Sequence, residues 1–261
     1  MTAPTLSARV QGVGFWGRGL PSWAAACAFA VTGALPEAAP ARPSPQLLAP
    51  NERRRAPETV AVALDVALAA CQAAGRDPAT LSSVFTSTHG DLAITDYMCR
   101  TLAGADPAAL SPTRFHNSVH NAAAGYWTIG AGAHAPATAI SAFDASFAQG
   151  LIEALAQLAT GTEAVLLVGY DSQSCGPLGH TTRSDGLLGG ALVLARTGEG
   201  PQLRATLEDG EAGTAAGPLA RQLAGNAMAP MLALFDTLAT AGGDCTLKAG
   251  PGRRLRLALA P

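Results

Sequence analysis

The stretch Ala137-Thr-Ala-Ile-Ser-Ala-Phe-Asp-Ala-Ser-Phe-Ala-Gln-Gly-Leu-Ile-Glu-Ala-Leu-Ala-Gln-Leu158 changes character once, at Asp144. Before it, Ala137 to Phe143 reads as an apolar strand; from Ala145 onward the pattern is helical. Gln149, Glu153 and Gln157 recur every fourth residue and form one narrow polar stripe, so the helix is expected to be buried on nearly all sides. A helix N-terminus presents unpaired N–H groups and a partial positive charge, which stabilises an anion and lowers a thiol pKa. Many enzymes therefore place a nucleophile at such a junction. Here the junction residue is Asp144, which also suits a helix start simply because its side chain accepts from free amides. Both readings stand at this level.

Working outward, Ser111-Pro-Thr-Arg-Phe-His-Asn-Ser-Val-His-Asn121 is a polar cluster after a loop. It leads into a small-residue segment, Ala122 to Gly132, that carries Tyr126, Trp127 and Ile129. Upstream, Pro57 to Ala74 is an amphipathic helix with Val60, Leu64, Ala67, Leu68 and Cys71 on one face. Ser83 to Ser87 is a buried strand, and Thr88-His89-Gly90-Asp91 turns from it into a helix over Leu92 to Leu102. His89 beside a strand end is either part of a site or a hydrogen-bonded structural histidine. Downstream, Ala164 to Tyr170 is almost continuously apolar, the pattern of a strand buried in a parallel sheet. Alternation of strands and helices indicates a layered α/β domain.

The flanks are plainer. Arg9 to Phe15 alternates as a short first strand, and Ser22 caps a helix to about Val31. Leu35 to Pro50 is an irregular Pro/Ala-rich loop, and Asn51-Glu-Arg-Arg-Arg55 is a basic cluster that reads as a solvated helix entry. After Ser184-Asp-Gly-Leu-Leu-Gly-Gly-Ala-Leu-Val-Leu-Ala195, strands are expected at Pro201 to Leu207, Thr246 and Leu255 to Leu259. Between them, Pro218 to Leu238 is helical with breaks at Gly225-Asn226 and Pro230.

Composition bounds the function. The 261 residues are 48% hydrophobic, 14% charged and 5% aromatic, with 29 glycines, which suits α/β layers packed closely through small residues. No apolar run is long enough to span a membrane, and the opening Met1-Thr-Ala-Pro-Thr5 lacks the order of a signal peptide, so a cytoplasmic protein is expected. A net charge of −2 gives no electrostatic case for nucleic acid. The five cysteines are scattered without a Cys-x-x-Cys pair, which argues against zinc and a disulfide framework; no metal or cofactor is expected. Lys248 is the only lysine and falls in a Gly-rich tail, a poor setting for a general base. No Gly-x-Ser-x-Gly elbow or phosphate loop is present. Cys175, in the segment Asp171-Ser-Gln-Ser-Cys-Gly176, is a weak alternative nucleophile without a placed base.

Ser111-Pro112, Ser118-Val119-His120-Asn121-Ala-Ala-Ala-Gly125, the strand–Asp144–Ala–Ser–helix run and Ser184 to Ala195 together resemble the N-terminal half of β-ketoacyl synthases. The resemblance spans about Leu48 to Leu194, and the match is to the short chain-length-factor-type partner of aryl polyene and related type II ketosynthases. It implies a thiolase-like layered α/β fold: a complete N-terminal half over residues 1–200 and a truncated C-terminal half over residues 201–261. In the family the strand ends in a condensing cysteine, and that position falls on Asp144.

The family's second half supplies two histidines, yet no histidine follows His180 here. Condensation needs a thiolate and positioned donors for the enolate. A carboxylate would form a reactive mixed anhydride and repel a malonyl group. The resemblance thus implies a non-condensing subunit that pairs with a full-length β-ketoacyl synthase, meets acyl carrier protein through the complex and limits product length. Phe115, Ser118, Val119, His120, Asn121 and Trp127 are the implied partner or acyl-tunnel contacts, although His120 and Asn121 equally suit helix capping and buried hydrogen bonding. Two alternatives stay open: a decarboxylase or hydrolase of acyl-carrier-protein thioesters using Asp144 or Cys175, and a scaffold docking the carrier protein through Arg53 to Arg55. A helix apolar on most sides, left uncovered by a short second half, also argues for a partner.

Overall fold

A computed structural model describes residues 4–260; Met1-Thr-Ala3, on which part of the leader reading rests, and Pro261 lie outside the described residues. The chain opens with β1 (Thr5–Gly17), longer than its alternating segment alone suggests. Then comes α1 (Trp23–Thr32), capped by the Ser22 hydroxyl, which accepts from the Ala25 amide, and closed by Gly33 in the left-handed region. A long loop leads to α2 (Pro50–Arg55) and α3 (Glu58–Ala73). β2 (Ser82–Thr86) runs into α4 (Leu92–Leu102), whose N-cap is Asp91. Two further helices, α5 (Pro112–Asn117) and α6 (Ala122–Ala131), precede β3 (Ala137–Ile140) and α7 (Ser146–Ala159). β4 (Ala164–Asp171), β5 (Leu188–Ala195) and β6 (Gln202–Asp209) follow. Helices α8 (Pro218–Gln222) and α9 (Leu232–Ala239) and the hairpin β7 (Gly243–Gly250) and β8 (Arg253–Ala260) end the described chain.

All eight strands join one sheet in the order β3-β2-β4-β5-β1-β6-β8-β7, which continues across residue 200. β2 is parallel to both β3 and β4; the other pairings are antiparallel. The central strands are buried on both faces. On β4, Val165 and Leu167 join the core with α7 and α9, whereas Leu166, Val168 and Tyr170 join the core with α3 and α6. Helix and strand approach closely where glycine removes a side chain. A Cβ on Gly14 would lie 1.9 Å from the Val66 carbonyl oxygen of α3, and one on Gly190 2.5 Å from the Phe235 ring of α9.

Three expectations change. The strand before Asp144 is shorter than Ala137 to Phe143, and as the edge of the sheet it is only half-buried. The 57–74 helix is not simply amphipathic: α3 is buried nearly all round, because β1, β4 and β5 pack on it from one side and α6 from another. The argument that α7 lacks cover fails. Phe147 packs on Phe235 with ring centroids 6.1 Å apart, and most of α7 is buried within the chain while its polar stripe stays half-exposed.

Candidate functional site

The junction ahead of α7 is built by backbone strain and two hydroxyls. Phe143 adopts φ +56°, a left-handed conformation unusual for a bulky side chain, and opens a 3-10 turn over Phe143–Ala145. Ser146 Oγ donates to the Phe143 carbonyl at 2.6 Å and accepts from the Ala142 amide at 2.9 Å. Ser141 Oγ donates to the Thr88 carbonyl at 2.7 Å, fastening the junction to the end of β2.

Asp144 does not cap α7, which overturns the bland reading of that residue. Its carboxylate instead accepts from Lys248 Nζ at 2.6 Å. Lys248 belongs to a strand, β7, rather than a loose tail, and the hydrogen bond it donates to Asp144 raises its pKa. Both side chains are 39% exposed, so solvent screens the pair.

Behind the junction, buried groups tie the ends of β2 and β4 together. Asp171 is fully buried; its Oδ1 accepts from Ser87 Oγ at 2.6 Å and its Oδ2 from the Thr88 amide at 3.0 Å. Burial raises the Asp171 pKa and outweighs these hydrogen bonds and the nearby His89. His89 Nδ1 lies 3.9 Å from Asp171, while its Nε2 is buried without a partner. His120 Nε2 donates to the Ser87 carbonyl at 3.0 Å, which is the buried hydrogen bond considered from sequence. Asn121 occupies the N-cap position of α6, yet its side chain makes no capping bond.

The other sequence candidates separate by exposure. Phe115 and Val119 are exposed, and Ser118 spends its hydroxyl on the Phe115 carbonyl. Trp127 is a correction: it has no exposed surface and packs against Phe85, so it supports α6 from inside and offers no outward contact. Sequence reasoning missed Ile129 and Phe143, which are 72% and 55% exposed near the β3 edge. Ile129 was legible in principle, because two residues along a helix is about 200° of rotation and Trp127 faces inward. Cys175 lies apart from the junction, half-buried, with its pKa raised by burial and then by Asp96 and Asp91. Of the basic cluster, Arg53 turns inward to donate to the Leu48 carbonyl at 3.0 Å, leaving Arg54 and Arg55 exposed.

Beside Asp144 opens a pocket of about 440 Å3, lined by Thr88, Thr181, Thr182, Arg183 and Asn226 among alanines. Neither a thiol nor an imidazole lines it. Among the described residues no cluster of three His, Cys, Asp or Glu could hold a metal ion, and no helix is long and apolar enough to cross a membrane.

A strand–junction–helix unit set in a layered, mixed α/β sheet places the chain in the α/β class. The chain belongs to the family of the β-ketoacyl synthase N-terminal domain, whose model matches residues 23–250. No curated protein matches the sequence. Among solved structures, a ketosynthase in complex with its chain length factor from Xenorhabdus doucetiae is similar at 22% identity and a TM-score of 0.75, covering 97% of this chain and 99% of that one. A type II polyketide acyl carrier protein in complex with its hexaketide-bound ketosynthase matches at 13% identity and 0.73, covering 98% and 99%. The ketosynthase from module 1 of the bacillaene synthase of Bacillus amyloliquefaciens matches at 15% and 0.58, but this chain spans only 48% of it and 80% of itself. At these identities the likeness is one of fold. The chain follows the first two end to end and about half of the third.

Proposed function

We propose that this chain is a non-condensing subunit of chain-length-factor type. It pairs with a full-length, cysteine-bearing β-ketoacyl synthase in type II fatty acid, polyene or polyketide synthesis, and residues 201–261 form its abbreviated second half. The observation that carries the reading is the Asp144–Lys248 pair. An anion held by a cation occupies the place where the family's nucleophile would stand, and no thiol or imidazole lines the adjoining pocket. Such a site has no thiolate to accept an acyl group and no imidazole beside it. The end-to-end match to a chain in a ketosynthase–chain length factor complex agrees with this role.

The surface suits a partner. β3 ends the sheet with its outer backbone unpaired, and next to it α6 turns Ile129 outward, with Phe115, Val119 and Phe143 also exposed. An exposed edge strand beside apolar side chains is a template for pairing. Phe115, Ser118, Val119, His120 and Asn121 belong to the contact surface in this reading, and Trp127 holds it rigid from behind. Acyl carrier protein meets the complex rather than this chain alone, as the carrier protein bound to a ketosynthase in a structural neighbour suggests. Five free cysteines suit a reducing cytoplasm. The raised thiol pKa of Cys175 speaks against a hydrolase built on it.

Co-expression with a panel of full-length type II ketosynthases, followed by size analysis, tests the reading. A one-to-one complex is expected, with condensing activity lost on changing the ketosynthase cysteine and retained in Asp144→Ala. Failure to pair with any ketosynthase, or condensation by this chain alone, overturns it.

A further inference from the structure

On the other side of the Ser87–Asp171 tie lies a second cleft, of about 700 Å3, which shares no lining residue with the pocket at Asp144. It opens at the carboxyl ends of the parallel strands β2 and β4, where α/β sheets place their ligands. Arg55 from α2 and Arg114 from α5 both line it. The Arg114 guanidinium is held over the Tyr97 ring at 3.9 Å from its centroid. Among the described residues neither arginine has a carboxylate partner.

The acids on the wall have partners within the chain, those of Asp91 being neutral donors that leave its charge in place. Glu58 pairs with Arg42 at 2.9 Å, and Asp91 accepts from the Thr59 hydroxyl and the Ile94 amide, each at 3.0 Å. Asn117 is the second pointer. It lines the cleft, is only 4% exposed, and its side-chain oxygen is buried with no donor. A buried amide oxygen left without a donor is rare in folded proteins and calls for one from outside.

We propose that this cleft binds a small phosphate monoester carrying a hydroxyl group. Two guanidinium forks match the several oxygens of a tetrahedral dianion better than the two oxygens of one carboxylate. The ester's hydroxyl supplies the donor that Asn117 lacks, and the Ser111 and Thr113 hydroxyls on the wall donate further to phosphate. The volume falls in the range of small-molecule sites. The inference does not depend on the pairing proposed above.

Calorimetric titration of the full chain with glycerol phosphate, inorganic phosphate and glycerol separates the parts. The expected result is saturable one-to-one binding of glycerol phosphate at about 1 mM or tighter, weaker binding of phosphate and none of glycerol. The double variant Arg55→Ala/Arg114→Ala, whose changes lie on the surface, should weaken it at least about tenfold. Asn117→Ala should erase the preference for glycerol phosphate over inorganic phosphate. No saturation below about 10 mM, or an unchanged affinity in the arginine double variant, overturns the proposal, and the latter holds even if Asn117→Ala fails to fold.

Discussion

At the β7 end of the sheet an eight-residue strand brings Lys248 onto Asp144, the Gly213 amide donates to the Thr246 hydroxyl at 2.9 Å, and α9 lays Phe235 over β1 and β5. At the β3 end a four-residue strand, one residue exposed and three half-buried, stops the sheet, and α6 leaves Ile129 in solvent. Both strands are sheet edges, but α9, α7 and the turn before α7 pack on β7, whereas α6 and α7 alone among the helices pack on β3. Both α6 and α7 are apolar segments rich in small residues, so hydrophobicity alone does not tell which of them is covered from within. The number of elements that reach each helix does: α7 meets six strands and, through Phe147, α9, whereas α6 meets α3, β2, β3 and the turn at Pro78–Thr80.

The sharpest way to break that contrast is at the closed end. Phe235 has no exposed surface and touches Phe15, Trp23 and Phe147 with ring centroids 5.6, 5.9 and 6.1 Å away. Phe235→Ala should cost about 3–5 kcal/mol of stability in urea unfolding, and a loss below about 1 kcal/mol would mean that α9 is not what closes this end. At the open end the expectation reverses. Ile129→Asp should leave the melting temperature of the isolated chain within about 2 °C yet weaken ketosynthase binding by roughly 30-fold or more, measured by competition; unchanged binding would remove Ile129 from the interface.

A smaller effect concerns the buried tie between the adjacent ends of β2 and β4. The folded-state pKa of Asp171 is raised above its unfolded value by burial. Its contribution is therefore fully present below the unfolded carboxylate pKa and is lost as pH rises through the folded value. Relative to Asp171→Asn, the wild type should lose stability as pH climbs from about 4, seen in urea midpoints across a pH series; a difference independent of pH would show that the hydrogen bonds from Ser87 and Thr88 offset burial fully. Least of all should the exposed ion pair matter: Lys248→Ala should move the melting temperature by less than about 4 °C. Asp144→Cys, by contrast, should give a thiol alkylated faster than the other cysteines, because the ammonium beside it favours thiolate. It should still fail to decarboxylate malonyl-carrier protein, and turnover by that variant would show that a single residue had silenced the site.

Much of the layering was legible because its signals were local. Ser22 and Asp91 cap the helices they precede, the Val165 to Tyr170 run is buried on both faces, and the order of elements from Ser82 to Ala195 follows the periodicity. The site was legible only as a position. Nothing near Asp144 in sequence announces Lys248, 104 residues away, since a contact between a strand and a distant turn leaves no periodic trace. The full burial of α3 was hidden for a similar reason: its outer face of alanines carries a weak apolar signal, and only the glycines of β1 and the arrival of α6 reveal how closely it is enclosed.

Because the chain has a single lysine, its only side-chain amine stands at the turn before α7. Reagents that acylate amines thus have one internal target, and its reactivity reads out whether Asp144 still holds it. A mass shift confined to that residue would follow the state of this corner of the molecule through every assembly it enters, without adding a label by mutation.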